Sequence, residues 1–528
     1  MIEINPSRWV QNPPPLPHQL TGVKALVTHK AFFLGDRPRT MKSRQVVDAA
    51  CELYEAGEID LVVVIARVAG RGVWGNAKLG QIKKWSWKGA RVFEFHQKKR
   101  DLWSDPEREG LLTWVITNYD YIRGEKNLVE FMARLAANYK KALVVFDESH
   151  KLGNEHSQQA KAAMRICWNK NELKDQNGKV ARVVWTARVA RRVMLTGTPG
   201  NPAKHWSQFN ILDHVFDGRY KAFKTFEWTF REYGEGVLRP VKGKDGKKGG
   251  LQLVHPKLGW KNFEKLSKIT APYALMRERK DCPGLKDVPV QSTFKEVRLS
   301  KETWKLYQSL KRDAIATLST GEEYVTPNKG VCLQRLSQIC NGHLGGFIEG
   351  ETKRWLSNEK IEWLAEELTE DCLAENIIVW CRFIIQREHV AAKLKELGFE
   401  VYQIHGGQAK SERRIAEMIF TEGTVREPGK RYALVPQPQA GGDSNDFCAA
   451  SDVYRASDVW GDWETFHQSN ERPLGPGQKA AFVSSTDIVA TGPDGQRTID
   501  HTMLESRETG RVIENMSCSE WLTELRSE

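Results

Sequence analysis

Leu143-Val144-Val145-Phe146-Asp147-Glu148-Ser149-His150 is an apolar run that ends abruptly in two adjacent carboxylates. The run is strand-length, and an unbroken apolar strand suits a parallel sheet covered by helices on both faces. At such a strand end one carboxylate can hold Mg²⁺ through water, and the next can orient or deprotonate an attacking water for phosphoryl transfer. Acidic residues after a strand are equally common as plain solvated turns, so the meaning of the stretch depends on its surroundings.

Outward from it, strand-like runs alternate with helix-length amphipathic stretches in two tracts. The first holds Ala31–Leu34, Leu61–Ala66, Trp114–Thr117, Ala142–Phe146 and Arg192–Leu195. The second holds Ile377–Trp380, Glu400–Ile404, Tyr432–Val435, Ser451–Arg455 and Ala480–Ser484. Each tract predicts an α/β, doubly wound parallel sheet with its site in the loops beyond the strand ends. Between them Phe223–Tyr233 and Lys261–Leu275 read as helices bracketing a basic, glycine-rich insert, Lys242–Gly250, which reads as an exposed hairpin or loop. At 528 residues the chain needs two or three domains.

The charge balance of +12 favours a polyanionic partner through phosphate contacts and counterion release, although solubility alone also explains it. The longest apolar stretches are strand-length, which predicts no membrane span. The opening Met-Ile-Glu-Ile-Asn-Pro has neither a basic start nor an apolar run, so a cytoplasmic setting is expected. The nine cysteines show no Cys-x-x-Cys pair and no histidine at zinc-finger spacing. A nuclease would need a further carboxylate cluster or a histidine-rich metal centre, and the sequence offers none outside the two tracts.

Two further segments sharpen the acidic strand. The last strand of the first tract runs into Leu195-Thr196-Gly197-Thr198-Pro199, a small-hydroxyl turn of the kind that relays nucleotide state. The first is followed by Gly35-Asp36-Arg37-Pro38-Arg39-Thr40-Met41-Lys42-Ser43, where Lys42 and Ser43 stand as a phosphate lysine and a Mg²⁺ hydroxyl would. In this order the chain resembles the Swi/Snf-like branch of helicase superfamily 2. Asp147 to His150 matches that family's Walker B segment, of DEAD/H type, and Thr196 to Pro199 its motif III.

The resemblance extends over nearly the whole chain. Pro17-His18-Gln19-Leu20-Thr21-Gly22-Val23 is similar to the opening motif, in which the glutamine recognises adenine. Val64-Ile65-Ala66, with Trp74 and Trp85 after it, looks like motif Ia, and Ile116-Thr117-Asn118-Tyr119 like motif Ib; both meet the DNA backbone in the family. Arg277-Glu278-Arg279-Lys280 resembles the basic segment that closes the first lobe. In the second lobe Ile378–Phe383 resembles motif IV, Ile404-His405-Gly406-Gly407 the next, phosphate-facing segment, and Gln468 to Arg472, continuing to Gly477-Gln478, motif VI.

The family implies two RecA-like lobes with a helical insertion between them: residues 1–285, including the insertion at about 200–285, and residues 286–528. It implies ATP and Mg²⁺ as cofactors, with Gln19, Thr40, Met41, Lys42 and Ser43 on the nucleotide from one lobe and Arg472 from the other. Ser43 and Asp147 would hold Mg²⁺ through water, and Glu148 would position the attacking water. Thr117, Asn118, His405 and Gly406, together with Lys242 and Lys244 of the insert, would meet duplex or single-stranded DNA. The function so implied is an ATP-dependent DNA translocase or helicase. A compact motor of this kind would suit replication, recombination or repair partners in a bacterial or phage-infected cell.

Three positions depart from the family pattern. Met41 replaces the glycine before the phosphate lysine, a cost of about 1–3 kcal/mol if the backbone there is glycine-like. Charged against binding, that is roughly five- to 150-fold in nucleotide affinity. Gly475 stands where motif VI carries its second arginine. Ala440–Phe447 keeps the glycine turn of motif V but not its Gly-Leu-Asn-Leu continuation. Met41 and Gly475 motivate a second reading, a nucleotide-binding, DNA-binding module with slow or absent hydrolysis. Trp74, Trp85 and Trp87 lie among Lys78, Lys83, Lys84 and Lys88, and either stack on bases or pack beneath a helix; packing is the expectation for Trp74.

Overall fold

Along the central strands successive side chains enter two different apolar clusters, and this sets the architecture. In Leu61–Ala66 the side chains of Leu61, Val63 and Ile65 join one apolar cluster, and those of Val62, Val64 and Ala66 join another. A strand buried on both faces needs a helical layer on each, the requirement of a doubly wound sheet. The computed structural model describes residues 2–509 apart from 10–13, 69, 77–79, 96–109, 139–140, 175–179, 199, 217, 243–247, 256, 320–325, 346–352, 371–374, 423–425, 442–445, 458–462 and 476. The chain divides into two compact units, Met1–Leu285 and Lys286–Glu528.

The first unit runs α1 (Pro17–Thr28), β1 (Ala31–Leu34), α2 (Lys42–Glu55), β2 (Leu61–Ala66), α3 (Gly70–Gly75), α4 (Gln81–Trp85), β3 (Ala90–Glu94), β4 (Leu112–Asn118), α5 (Tyr119–Ile122), α6 (Glu125–Asn138) and β5 (Ala142–Asp147). It continues with α7 (Gln158–Cys167), β6 (Trp168–Lys174), β7 (Val180–Ala187), β8 (Arg191–Leu195), α8 (Pro202–Asp213), α9 (Phe223–Phe230), β9 (Arg231–Tyr233), β10 (Val237–Lys242), β11 (Lys248–Val254), β12 (Lys257–Trp260), α10 (Phe263–Thr270) and β13 (Ala274–Leu275). Its sheet has seven strands in the order β13-β1-β8-β5-β2-β4-β3, and every pairing is parallel.

Within the stretch read as helical, α9 and α10 end sooner than the sequence suggests and their tails become strands. Arg231–Tyr233 pairs antiparallel with Lys257–Trp260, and Ala274–Leu275 joins the edge of the main sheet against β1. At the basic insert β10 pairs antiparallel with β11, Lys242 opposite Lys248; residues 243–247, Lys244 among them, lie outside the described residues.

The second unit runs β14 (Val290–Arg298), α11 (Lys301–Ser319), α12 (Thr326–Cys340), β15 (His343–Leu344), β16 (Arg354–Trp355), α13 (Glu359–Glu370), β17 (Asn376–Trp380), α14 (Ile384–Glu396) and β18 (Phe399–Ile404). It ends with α15 (Lys410–Glu417), β19 (Arg431–Pro436), α16 (Pro438–Gly441), β20 (Asp452–Arg455), α17 (Trp463–Asn470), β21 (Val483–Thr491) and α18 (Ile499–Thr509). Six strands in the order β14-β21-β20-β17-β19-β18 form its parallel sheet, again with apolar clusters on both faces. The chain is thus α/β, with two RecA-like doubly wound parallel sheets. Among the described residues no helix is long and apolar enough to cross a membrane.

Two strands of this sheet differ from the sequence reading. β21 extends to Thr491 rather than ending at Ser484, and β14 was not anticipated; the two pair over nine residues. Their polar composition, Gln291-Ser292-Thr293 against Ser484-Ser485-Thr486, hides them, because β14 is an edge strand with most side chains exposed.

At the start of α11, Glu359 of α13 accepts hydrogen bonds from the Ser300 amide (3.0 Å) and the Thr303 hydroxyl (2.9 Å). Burial raises its pKa, but hydrogen bonds, first from Ser357 and then from Ser300 and Thr303, outweigh burial and leave it below the ordinary value. A depressed carboxyl contributes stability that is present above the unfolded pKa and is lost as pH falls through the folded one. Glu359→Gln is therefore expected to destabilise the second unit by about 1–2 kcal/mol at neutral pH. The gap between variant and wild type should close on acidification, as read by thermal melts at pH 7 and pH 4.

Candidate nucleotide site

Three adjacent strands, β1, β8 and β5, carry the candidate phosphate loop, the hydroxyl turn and the acidic pair at their carboxyl ends. This is where doubly wound sheets bind ligands. The two strands beyond β5, β2 and β4, lead at the same edge into α3 and α5.

The phosphate loop is anchored from three sides. Its first amides bond to the β13 end, Gly35 N to Leu275 O at 2.8 Å and Arg37 N to Arg277 O at 3.0 Å. Asp36 is fully buried and faces the Arg277 guanidinium, whose Nε lies 3.0 Å from Oδ1 and whose second arm meets Oδ2. Arg277 also donates to the His18 carbonyl (2.6 Å) and to Gln45 Oε1 (3.2 Å). Pro38 packs on the hydroxyl turn so closely that a Cβ on Gly197 would sit 2.7 Å from the proline ring, which explains the glycine there.

Two non-glycine residues of the loop are left-handed, Arg39 at φ 71° and Met41 at φ 60°. They flank Thr40, whose hydroxyl closes the turn onto Arg37 O at 2.9 Å. Lys42 then opens α2 and folds back, donating Nζ to the carbonyls of Asp36 (2.6 Å) and Arg37 (3.1 Å). Burial lowers its pKa, against the opposing pull of Glu148, Asp36 and Asp147. Ser43 follows on the same helical turn.

Met41 does not crowd the loop as its replacement of glycine suggests. Its Sδ lies 3.3 Å from Gln19 Nε2, and its side chain packs on the apolar cluster beneath α2. Because the backbone already holds the left-handed geometry, the strain falls on the stability of the first unit rather than on nucleotide affinity. Arg39 carries the same strain, and its charge opposes that of Lys42. Arg39→Gly should relieve about 1–3 kcal/mol of backbone strain. Offset by roughly 0.5–1 kcal/mol for the freer unfolded glycine, that predicts a melting temperature higher by a few degrees; a lower one would contradict the strain.

Gln19 is buried, and its Oε1 accepts the Leu16 amide at 2.8 Å, capping α1. The amide that the family turns toward adenine is here engaged with the helix start and with Met41.

At the acidic end, Asp147 Oδ2 accepts the Trp74 indole N–H at 2.8 Å and Oδ1 accepts the Glu148 amide at 3.1 Å. Burial and then the Glu148 charge push the Asp147 carboxyl up to about 6. Glu148 has left-handed backbone (φ 53°), which turns its carboxylate out of the strand line, one-third exposed and 3.3 Å from His150 Nδ1. The same ring nitrogen lies 3.3 Å from Thr196 Oγ1, which in turn accepts the Thr198 amide at 3.1 Å. His150 thus joins the acidic pair to the hydroxyl turn. Pro199 lies outside the described residues.

A half-buried lysine just after a left-handed loop residue, at the head of a fourteen-residue helix and facing two carboxylates, fits a nucleoside triphosphate with its divalent cation. The loop amides and helix N-terminus suit phosphate oxygens, and Ser43 with Asp147 suits the cation.

The other sequence-predicted residues are placed as follows. Thr117 is fully buried, so its hydroxyl cannot meet a DNA backbone in this conformation; the sequence expectation for its side chain is corrected on that ground. Asn118 spends its side-chain oxygen capping α5, at 2.8 Å from the Tyr121 amide. His405 and Gly406 form the turn beyond β18, where Gly406 is open to solvent. Arg472 is buried, and its carbonyl accepts the Phe447 amide at 2.8 Å. Gly475 has an ordinary extended backbone (φ −63°), so no conformational demand requires glycine there. Trp74 and Trp85 are buried and cannot stack on bases; Trp85 lies against the Arg44 guanidinium at 4.1 Å. Lys242 sits at the end of β10.

Sequence reasoning missed Arg39, the Asp36–Arg277 clamp, and the roles of Trp74 and Tyr119 at Asp147. Only the clamp had a signal, an acidic residue in the loop and a basic segment after the insert.

The fold and the site's geometry define a chain of two doubly wound α/β units, the first with a candidate phosphate loop set beside an acidic strand end. Residues 164–343 match the SNF2-related domain family. A Danio rerio protein, "DNA excision repair protein ERCC-6-like", is 25% identical over 296 residues, 53% of this chain, which spans 17% of that protein's length. Among solved structures the chain is similar to the "Sulfolobus solfataricus SWI2/SNF2 ATPase core in complex with dsDNA" (18% identity, 99% of this chain and 97% of that one, TM-score 0.39). It is also similar to the "Sulfolobus solfataricus SWI2/SNF2 ATPase core domain" (19%, 98% and 94%, TM-score 0.38). Over residues 164–343 the chain is thus similar to SNF2-related proteins, in keeping with the resemblance that its ordered motifs carry.

Proposed function

We propose that the chain is an ATP-dependent DNA translocase or helicase. The observation that carries this reading is the meeting of Lys42, Asp147 and Glu148 at one sheet edge, joined through His150 to the Thr196 turn.

In this reading the loop amides with Thr40, Met41 and Lys42 hold the phosphates, and Gln19 borders the base. Ser43 and Asp147 hold Mg²⁺ through water, and the ion when bound neutralises charge on the β- and γ-oxygens. Lys42 releases the loop carbonyls of Asp36 and Arg37 and takes phosphate oxygens instead. Glu148 orients and deprotonates the attacking water, and Arg472 supplies a cation to the transferring phosphate. Departure of the γ-phosphate changes what Glu148 faces, and His150 passes the change to Thr196.

The partner is DNA, duplex or single-stranded, gathered by the basic insert with Lys242 and Lys244, by the segment around Asn118, and by the turn at His405 and Gly406. Replication, recombination or repair proteins are the proposed context.

The second reading, a nucleotide- and DNA-binding module without efficient turnover, is favoured by Gly475 alone, since Met41 is accommodated. Binding of a fluorescent ATP analogue tests the nucleotide site: Mg²⁺-dependent binding that Lys42→Ala abolishes is expected. Binding indifferent to Mg²⁺ and to Lys42 would contradict the site. DNA-stimulated phosphate release separates the two readings.

A further inference from the structure

Asp147 stands at a junction of the sheet edge. On one side of β5, strands β8 and β1 lead to the hydroxyl turn and the phosphate loop; on the other, β2 and β4 lead to α3 and α5. Both of the latter helices reach back to Asp147. Trp74 of α3 donates its indole N–H to the carboxylate at 2.8 Å, and Tyr119, the first residue of α5, donates its hydroxyl to the backbone carbonyl at 2.8 Å.

Packing alone does not account for this indole. Trp74 is completely buried, yet its one polar atom is spent on a carboxylate oxygen, a bond stronger than one to a neutral acceptor. α3 is also seated without slack. A Cβ on Gly75 would lie 2.5 Å from the Ile116 side chain of β4, and one on Gly80, at the head of α4, would lie 2.6 Å from the backbone of Asn76. Outside, the same pair of helices exposes Lys83 and Lys84. Both lysines belong to α4, which packs on α3, so a displacement imposed on that basic side passes to α3 and from its Trp74 indole to the Asp147 carboxylate.

We infer that Trp74 is a positioning residue that couples a polyanionic backbone held on the outer side of α3 and α4 to the carboxylate of Asp147, and so sets how strongly DNA accelerates turnover. The inference rests on the hydrolytic reading proposed above. Tyr119 fixes the main chain of Asp147 and leaves the carboxylate to be steered by Trp74.

The test compares wild type, Trp74→Phe and Tyr119→Phe in phosphate release with and without a duplex oligonucleotide, with thermal melts alongside. Trp74→Phe keeps an aromatic ring and removes the N–H. The ratio of DNA-saturated to DNA-free turnover is expected to fall about tenfold, with the KM for ATP and the DNA half-saturation moving less than about twofold. An unchanged ratio, or a loss shared equally by DNA-free and DNA-saturated turnover, overturns the coupling while leaving the hydrolytic reading intact. Wild-type turnover that ignores DNA overturns both. If Trp74→Phe melts below the assay temperature, Lys83→Ala/Lys84→Ala, which leaves the indole in place, carries the test: a severalfold fall in the ratio at saturating DNA supports the coupling and an unchanged ratio overturns it, whereas Tyr119→Phe, which keeps the Trp74 bond, is expected to leave the ratio unchanged.

Discussion

Glu148→Gln is expected to abolish ATP turnover, by at least about 100-fold, while leaving nucleotide binding in place. The amide has nearly the shape of the carboxylate, so the packing of the strand end survives, but it cannot take a proton from water. Glu148 is suited to the task by its position. It is one-third exposed and turned outward by its left-handed backbone, whereas both oxygens of Asp147 beside it accept hydrogen bonds, from the Trp74 indole and the Glu148 amide. The two carboxylates are neighbours in sequence with different environments, which separates a group that holds a cation from one that handles a proton. Loss of nucleotide binding together with turnover would instead assign Glu148 to the phosphate and cation contacts.

Arg277→Gln is expected to destabilise the first unit by about 3–5 kcal/mol, because it leaves the buried Asp36 carboxylate without its cation. Asp36 has no exposed surface, and three of its contacts come from Arg277, one through the backbone amide. The same substitution releases the His18 carbonyl and Gln45, so both the start of α1 and the phosphate loop loosen. At this size the loss corresponds to a fall in melting temperature on the order of 10 °C. Adding Asp36→Asn removes the stranded charge and should recover a substantial part of it in a double-mutant cycle. If the double variant is no more stable than the single one, the pair is not the source of the loss.

The central strands of both sheets were legible because burial on two faces enforces apolar runs: Leu61–Ala66 and Ala31–Leu34 have the bounds read from sequence. Edge strands carry no such signature. β14, with most of its side chains exposed, and the part of β21 beyond Ser484 are missed in the sequence, although the two strands pair over nine residues.

The candidate site divides in the same way. Lys42 and the Asp147–Glu148 pair are local patterns with a chemical reason, visible in one dimension. The left-handed backbone at Arg39 was not visible, since nothing but glycine advertises that geometry in sequence. The Trp74–Asp147 bond joins residues 73 positions apart, a distance no spacing argument crosses. Thr117 shows the converse: its place in a motif suggested contact with DNA, but a strand buried on both faces leaves its hydroxyl inside.

Gly475 sharpens the mechanistic question. The backbone there would admit an arginine, with the Asp446 carboxylate 3.3 Å from the new Cβ, so its absence is not a structural necessity. Under the proposed hydrolytic function, motif VI would bring one arginine fewer than the family pattern.

Phosphate release by the purified chain in saturating Mg²⁺ and ATP, titrated with a duplex oligonucleotide, tests the central claim most directly. Turnover that rises with DNA to a plateau at least about tenfold above the DNA-free rate, and vanishes in Glu148→Gln, is the expected result for a DNA-driven motor. Tight DNA binding with no turnover above background would contradict it.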